Sequence, residues 1–536
     1  MISLRQRPTT RIFPLTVLGL FTVALVFLLL FHQVALLFAV PTGHDQSWYL
    51  FAAQRLLSGA KLYGPQIAET NPPLIVWFSL LPLLLARLIH GSATVALRLL
   101  VLVMIFGSVA WCMRILRLNA VKTNHAILGL LACATLYIEF NVGPYAFGQR
   151  EQLFVILALP YILAASTGTC RNLTVVERCA LGLAAGLAIC FKPHHLLVFV
   201  GLELFLAIRT RSLRRALAPE FLTVLFTCCL YVLLVLTITP LYARETIPLL
   251  VDTYWAYGPY SVLALALRPK TLALLTLLVL LSLVRLRRFL SDPETTGTVL
   301  VCGIFASIAF EIQHTDWDYH LYPWKALIQF SALYLLIDLL RPVIRRLMAD
   351  SRLSTRFAFV TLGLMAIPLG AIATHPRRLI PAPQPAFYPE LDQIFSQYKA
   401  PTTAYVFSTD VSPFAVVFRS GLEWGSRFPD LWMLPAIIQN ERGRTGAPVP
   451  FKSLPRDTVA RLALLQRNET TEDLNYWRPS VILVEHCTLE HFCQAIEGKN
   501  FDIISWFLQS PEFAAAWSHY QRREGPPHFD LYTRTW

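Results

Sequence analysis

Long apolar segments bordered by polar or basic residues run through the first 374 residues of this 536-residue chain. A helix needs about 20 residues to cross the hydrocarbon core of a membrane, and eleven segments approach or exceed this length. They lie at 13–40, 95–116, 125–140, 151–168, 178–191, 195–209, 219–240, 271–286, 297–312, 322–340 and 357–374. Because 55% of the chain is hydrophobic and 15% is charged, one water-soluble core cannot bury this surface. We predict a polytopic α-helical membrane protein with about eleven spans.

A twelfth apolar stretch, residues 72–90, decides the predicted orientation. Three prolines and Arg87 interrupt it, which disfavours a straight spanning helix. If it does not span and the N-terminus is inside, three later basic clusters fall inside, as the positive-inside rule requires. These clusters are 209–215, 285–288 and 341–356. We therefore predict an interfacial or re-entrant helix at 72–90, within a first outer loop of residues 41–94.

The formal net charge of +13 does not predict nucleic-acid binding, because many of the Lys and Arg cluster at the ends of apolar segments. The first apolar run is too long for the core of a signal peptide, so it predicts an uncleaved helix with a cytoplasmic N-terminus. This pattern favours the bacterial inner membrane, with an organelle membrane as the alternative.

The composition changes near residue 375. A proline-rich linker at 381–385 is followed by β-like runs at 404–407 and 481–484, which alternate with helical stretches such as 489–496. We predict two domains: a membrane-embedded module at 1–374, and a soluble periplasmic α/β domain at 375–536.

The ten cysteines match no zinc motif, and eight of them lie in or beside apolar segments as small buried hydrophobes. Cys487 and Cys493 fall in the soluble tail, where a disulfide and two free thiols are both compatible with the sequence. The chain has no Walker motif or dinucleotide fingerprint. We expect no cofactor and no metal.

With eleven spans, four polar loops share the outer face. These loops are 43–71, 141–151, 192–195 and 313–320. Hydropathy alone does not require polar loops to meet on one side, so this convergence predicts a functional site at the outer face.

The first of these loops carries three short motifs. It reads Gly43-His-Asp-Gln-Ser-Trp-Tyr-Leu50, then Gly59-Ala-Lys-Leu-Tyr63, then Glu69-Thr-Asn-Pro-Pro73. An acidic residue just past the first span, a short helix and an Asn-Pro-Pro segment resemble the GT-C glycosyltransferases. Over residues 10–210 the likeness is greatest to the branch of protein O-mannosyltransferases and lipid A aminoarabinose transferases.

The resemblance implies that Asp45 is the catalytic base, which takes the proton of an acceptor hydroxyl in a single inverting displacement. The alternative for Asp45 is a helix N-cap. Many family members carry Asp-Glu at this place, whereas here Gln46 follows. A metal-assisted or two-carboxylate mechanism is therefore not expected.

The other three loops supply candidate binding residues. Arg150 could hold a donor phosphate bidentately, and Glu151, which matches an acidic position of the family, could hold Arg150 or the acceptor. A lysine at the position of Lys192 resembles the Thr-Lys-Gly turn of related transferases, which implies neutralisation of the leaving phosphate. His194 in the same turn and His320 in the fourth loop complete the predicted site. The alternatives are a helix start at Glu151 and a snorkelling lysine.

Together these features predict a glycosyltransferase that moves a sugar from a polyprenyl-phosphate donor in the bilayer to a glycan or lipid acceptor. Two alternatives remain open: a transporter or flippase for a lipid-linked glycan, and a non-catalytic partner in surface-polysaccharide assembly. A transporter favours mid-membrane charges and related halves, whereas this chain concentrates its polar groups in loops.

Overall fold

The computed structural model describes residues 34–119, 125–349, 389–442, 452–488, 491, 493–496 and 500–535. The predicted spans at 13–40 and 357–374 fall largely or wholly outside these residues, as does the predicted domain boundary at residue 375. The other nine predicted spans coincide with helices.

In the described part of the membrane module, residues 34–39 are helical, α1 and α2 follow in the first loop, and eleven further α-helices come after them. The helices are α1 His44–Leu57, α2 Leu74–Leu88, α3 Ala93–Arg117, α4 His125–Phe140, α5 Arg150–Ser166, α6 Val175–Phe191, α7 Leu196–Thr210, α8 Pro219–Ile238, α9 Ile247–Thr253, α10 Val262–Leu267, α11 Lys270–Leu286, α12 Pro293–Glu311 and α13 Tyr322–Ala349.

Five helical segments in the described part of the chain are long and apolar enough to cross a membrane by length and composition. They are Ala93–Arg117, Pro193–Thr210, Pro219–Ile238, Pro293–Glu311 and Tyr322–Arg346. The chain is a multi-pass membrane protein. The 15-residue helix α2 contains Pro82 and covers the segment predicted to be interfacial or re-entrant.

Helix boundaries follow the local sequence. Thr174 accepts a hydrogen bond from the Glu177 amide, and the Glu177 side chain bonds back to Thr174, which forms a capping box before α6. Pro219 begins α8 at the first helical position, where its missing N–H costs nothing. Asp292 caps α12 through the Thr295 amide.

The pair Gly182 and Gly186 on α6 allows α8 to approach closely. A Cβ atom at Gly186 would lie 2.6 Å from the Thr227 Cβ, and one at Gly182 would lie 2.2 Å from the Glu220 carbonyl oxygen. This is the small-residue packing that membrane helices use when backbones come together.

The C-terminal domain contains a mixed five-stranded sheet with the order β2-β1-β3-β5-β4. The strands are β1 Thr403–Phe407, β2 Glu423–Trp424, β3 Val481–Glu485, β4 Tyr520–Arg523 and β5 Phe529–Arg534. Strands β1, β2 and β3 are parallel, and β5 is antiparallel to both β3 and β4. The strands β1 and β3 are almost fully buried, as parallel strands covered on both faces are. The predicted α/β domain is confirmed.

Helices surround this sheet. They are α14 Pro389–Phe395, α15 Ser412–Arg419, α16 Leu434–Arg442, α17 Arg456–Trp477, α18 Ile503–Phe507 and α19 Pro511–Trp517. The helix expected at 489–496 is wrong for the residues described there, since 493–496 form a turn. A disulfide joins Cys487 and Cys493, and the Ile496 amide donates a hydrogen bond of 3.0 Å to the Cys493 carbonyl oxygen, which closes the turn.

Arg55 of α1 attaches the C-terminal domain to the first loop. Its guanidinium donates hydrogen bonds to the carbonyl oxygens of Gln66 (2.7 Å), Ser426 (2.8 Å) and Trp424 (2.6 Å). It also stacks 4.5 Å from the Trp477 ring. Because Arg55 reaches both domains, the first loop and the sheet domain share one packed interface.

Candidate functional site

Asp45 lies in the first turn of α1, one residue after the helix begins at His44. Gly43 occupies the N-cap position and no side chain caps the helix, so the alternative interpretation of Asp45 as the cap is wrong. Instead, the Asp45 Oδ2 atom accepts a hydrogen bond of 2.7 Å from the Gln149 side chain. The other oxygen lies 3.4 Å from His44 Nε2, and 17% of the Asp45 side chain is exposed. The carboxylate is held in place but remains accessible.

The first and second loops are packed together around this aspartate. Gln46 donates to the carbonyl oxygens of Tyr145 (3.0 Å) and Phe147 (3.2 Å). A Cβ atom at Gly43 would lie 2.1 Å from the Tyr145 carbonyl oxygen, so glycine permits this approach. Gln46 therefore joins the first loop to the second.

Arg150 is the first residue of α5, and 5% of it is exposed. Its guanidinium donates a hydrogen bond to the Asn71 side-chain oxygen and lies 5.8 Å above the Tyr49 ring. Asn71 in turn donates to Glu69 from its backbone (2.7 Å) and its side chain (2.8 Å). Burial raises the pKa of the Glu69 carboxyl group, and these hydrogen bonds and Arg150 oppose that rise.

Glu151 connects the second, third and fourth loops. Its Oε1 atom accepts a hydrogen bond of 2.6 Å from Lys192 Nζ and lies 3.6 Å from His320 Nε2. His320 also bonds Thr315 through Nδ1 at 2.8 Å. Burial lowers the pKa of the Lys192 ammonium group to about 8, although Glu151 opposes this shift. Burial and the neighbouring Lys192 charge lower the pKa of His320.

The two histidines beside Lys192 differ in their surroundings. His194 has an exposed side chain. His195 is buried and stacks on Phe154 with ring centroids 4.2 Å apart. The structure therefore brings Asp45, Arg150, Glu151, Lys192 and His320 into one connected region, with His194 at its edge.

Asp45 and Arg150 line a cavity of about 580 Å³, the first cavity. Both domains contribute to it: Asn71, Tyr254, Trp317 and Tyr319 come from the membrane module, and Asp410, Asp430 and Trp432 come from the C-terminal domain. Glu151 and Lys192 are not among its lining residues. They form a buried pair, in which Glu151 directly follows Arg150 in the sequence.

A second cavity of about 660 Å³ is lined by Gln149, the hydrogen-bond partner of Asp45, and by Lys325 and Arg419. The two cavities share four lining residues, His44, Asp318, Tyr319 and Ser412. Two adjoining cavities beside one accessible carboxylate suit a reaction that joins two substrates.

Two crystal structures of ArnT from Cupriavidus metallidurans match the chain along nearly its whole length. The structure bound to undecaprenyl phosphate gives a TM-score of 0.58 at 12% sequence identity, over 96% of this chain and 98% of ArnT. The apo structure gives 0.55 at 13% identity, over 95% and 98%. This chain has the ArnT fold. The expected polytopic helical fold with a C-terminal sheet domain is confirmed.

The likeness to ArnT is one of fold rather than of sequence. No protein-family model matches the chain, and no curated protein matches it. The match to ArnT covers both the helices and the sheet domain that follows them. The roles of individual side chains have to be argued from this chain's own contacts.

Within this ArnT-like fold, several residues of the site were not predicted from the sequence. Gln149 directly precedes the predicted residues Arg150 and Glu151. Glu69 and Asn71 belong to the first-loop motif Glu69-Thr-Asn-Pro-Pro73. These residues are polar and lie in short loops, which indicated a possible place in the site. Their spacing in the sequence did not show which side chains they would contact. Asp430 and Trp432 gave no signal, because they reach the cavity only through the docking of a domain that follows hundreds of residues later.

Proposed function

We propose that this protein is an integral-membrane glycosyltransferase that moves a sugar from a polyprenyl-phosphate donor to an acceptor hydroxyl. The observation that carries the proposal is the Asp45 carboxylate, which faces the cavity beside Arg150 and is fixed by Gln149 at 2.7 Å. The ArnT fold supports the same function, because one of the ArnT structures holds undecaprenyl phosphate.

The proposed reaction is a single displacement at the anomeric carbon. The acceptor oxygen forms a bond to this carbon while the bond to the phosphate oxygen breaks, and the electron pair leaves with the polyprenyl phosphate. Asp45 takes the proton of the acceptor hydroxyl. The configuration inverts, and no second carboxylate is needed as a nucleophile.

Two cations support the leaving phosphate in this proposal. Arg150 lines the first cavity, and its Nε atom is buried without a hydrogen-bond partner in the described residues. A guanidinium held by Asn71 on one side is oriented to bind a phosphate oxygen on the other. Lys192 neutralises Glu151, so that this buried carboxylate does not cancel the positive charge of the neighbouring Arg150. His320 lies beside this pair, with its Nε2 atom 3.6 Å from Glu151 Oε1.

A lipid donor explains why the site lies at the loop end of a bundle of apolar helices. The polyprenyl chain stays in the bilayer while its phosphate reaches Arg150. We propose that the site faces the periplasm of a bacterial inner membrane, where a lipid carrier rather than a nucleotide sugar supplies the donor. The acceptor is a glycan or a lipid.

The experiment that tests this function measures transfer of radiolabelled sugar from polyprenyl-phosphate donors to membrane acceptors. Wild type is compared with Asp45→Asn, which keeps the shape of the side chain but cannot take the proton. Asp457→Asn is the matched control, since Asp457 is exposed at the start of α17. We expect loss of transfer by at least about 100-fold in the first variant only.

Two other outcomes would contradict the proposal. Full transfer by Asp45→Asn would remove this residue from the mechanism. No transfer by wild type with any of several hexose and pentose donors would instead favour a flippase or a non-catalytic assembly partner. Flipping of a fluorescent lipid-linked sugar in proteoliposomes would separate those two.

A further inference from the structure

Tyr63 has a backbone conformation that bulky residues seldom adopt. It ends the Gly59-Ala-Lys-Leu-Tyr63 motif of the first loop, and its φ angle is 62°. This left-handed region is unfavourable for a tyrosine, because the Cβ atom crowds the following carbonyl oxygen. A residue found there is held by its surroundings, and such residues cluster near functional sites. The contacts of Tyr63 therefore indicate what it does.

The buried Tyr63 side chain fixes the segment that orients Arg150. Its hydroxyl donates a hydrogen bond to the backbone carbonyl oxygen of Asn71. The Asn71 side chain accepts a hydrogen bond from Arg150 and donates one of 2.8 Å to Glu69. Asn71 thus connects the phenol of Tyr63, which holds its backbone, to the guanidinium, which binds its side chain.

A second tyrosine packs against Tyr63 from the end of α8. Tyr242 is the first residue of a single π-helical turn, Tyr242–Thr246, which lies between α8 and α9. The ring centroids of Tyr242 and Tyr63 are 4.9 Å apart, which is within the range of favourable aromatic pairs. Single π-helical turns are rare and occur frequently at functional sites. This one places an aromatic ring against the residue with the unfavourable backbone conformation.

The hydroxyl of Tyr242 lies within electrostatic reach of the charged residues beside Asn71. Burial raises the pKa of Tyr242 to about 12, the Glu69 carboxylate adds to this rise, and Arg150 opposes it. Burial also raises the pKa of Tyr63, and Glu69 is the next cause. Both phenols are therefore uncharged at neutral pH, and Tyr63 keeps the proton that it donates to Asn71.

Helix α8 is joined to the first loop at a second point. Tyr231 accepts a hydrogen bond of 3.4 Å from the Leu74 amide, and its ring meets Trp77 edge to face with centroids 6.2 Å apart. On another side the same helix packs closely against the two glycines of α6. Because α8 is held on both of these sides, the π-helical turn that follows it has a defined position relative to the first loop.

We propose that Tyr63 and Tyr242 are positioning residues for phosphate binding: Tyr242 packs against Tyr63, and the Tyr63 hydroxyl holds Asn71 where its side chain orients Arg150. Neither tyrosine lines either of the two cavities, so the pair acts through Asn71 rather than on the ligand. This inference rests on the proposed function for the identity of the ligand, a polyprenyl phosphate.

The test measures the binding of undecaprenyl phosphate to the full-length protein in nanodiscs, and it does not require transfer. Tyr63→Phe keeps the ring and removes one neutral hydrogen bond, so we expect the Kd to rise about 5-fold. Asn71→Ala is expected to raise it about 10-fold, because the guanidinium loses its orientation. The double variant should bind no more weakly than Asn71→Ala alone, because Tyr63 acts through that residue.

Tyr242 is tested by two changes that differ only in the ring. Tyr242→Phe keeps the ring that packs against Tyr63 and should bind the lipid like wild type. Tyr242→Leu removes this ring, and we expect a rise in Kd of about 3-fold or more. The control is Tyr334→Phe, which removes a buried hydroxyl bonded at 2.8 Å to Asp292, the cap of α12. It should lower the Tm and leave lipid binding unchanged.

The outcomes that overturn the inference differ from those that overturn the proposed function. Wild-type affinity in Tyr63→Phe, or a double variant in which the two effects multiply to about 50-fold, would show that Tyr63 does not act through Asn71. Equal affinities of Tyr242→Phe and Tyr242→Leu would remove the ring contact from the mechanism. An equal loss in Tyr334→Phe would mean that the affinities follow stability alone. A wild-type protein without affinity for undecaprenyl phosphate would overturn the donor of the proposed function, and the positioning role with it.

Discussion

The side-chain amide of Gln149 donates a hydrogen bond of 2.7 Å to Asp45, across a separation of 104 residues. Gln149 is 3% exposed, and it sits directly before the helix that carries Arg150 and Glu151. One short segment thus holds the proposed base and also supplies the proposed phosphate ligand. The position of the carboxylate relative to the guanidinium is fixed by neighbouring residues.

Replacing Gln149 tests whether this contact matters for transfer. Gln149→Ala removes a hydrogen bond to a charged group, worth about 1.5–3 kcal/mol, so we expect the transfer rate to fall about 10- to 100-fold. Initial rates at saturating donor and acceptor measure the effect. Gln54→Ala, an exposed change on the same helix as Asp45, should keep the wild-type rate. Equal rates in both variants would show that Asp45 does not depend on Gln149.

Asn71 is predicted to act on donor binding through Arg150. Asn71→Ala frees the guanidinium, and we expect the KM for the polyprenyl-phosphate donor to rise about 10-fold with a smaller change in kcat. Asn71→Asp should raise the KM further, because a carboxylate would neutralise Arg150. Steady-state kinetics with varied donor check both changes, with the exposed Asn475→Ala as the control. A change confined to kcat would contradict a role in binding the phosphate.

The lowered pKa of Lys192 predicts that the transfer rate depends on pH. Burial lowers its pKa to about 8, so the ammonium is charged below this pH and neutral above it. If its charge supports the leaving phosphate, transfer should decline as the pH rises through about 8. Lys192→Arg keeps a cation at alkaline pH and should remove this decline. The measurement is the pH profile of kcat, with the Tm recorded at each pH so that unfolding is not mistaken for titration.

The hydrogen bonds of Arg55 are predicted to stabilise the contact between the two domains. Arg55→Ala leaves three carbonyl groups without their donor, and we expect a loss of stability of about 2–4 kcal/mol. Arg55→Lys should recover part of it, because a lysine cannot reach all three carbonyls at once. Thermal unfolding and limited proteolysis between the domains check this expectation. A wild-type unfolding profile for Arg55→Ala would mean that other contacts dominate the interface.

The sequence predicted the membrane module well because hydropathy and basic clusters depend on local composition. Nine predicted spans coincide with helices, and the four polar loops meet as expected around Glu151 and Asp45. The first-loop motifs also indicated the fold that ArnT shares. Hydropathy predicts these helices because every helix that crosses a bilayer needs an apolar surface and must satisfy its backbone hydrogen bonds internally.

Other features could not be predicted, since they depend on contacts between distant parts of the chain. Residues 493–496 were expected to be helical, yet they form a turn in which Cys493 is bonded to Cys487 and Gln494 lines the cavity. The docking of the sheet domain through Arg55 leaves no periodic pattern in the sequence. For that reason Asp430 and Trp432 were missing from the predicted site, although they line the same cavity as Asp45.

The joint cavity also constrains the order in which the protein can become competent. A ribosome delivers Asp45 early and Trp432 late, so any nascent or truncated chain that stops before the sheet domain lacks one wall of the cavity. Such a chain could insert its helices and still leave the carboxylate open to water. Translation must therefore pass Gln494 before all the residues that line the cavity are present in the chain.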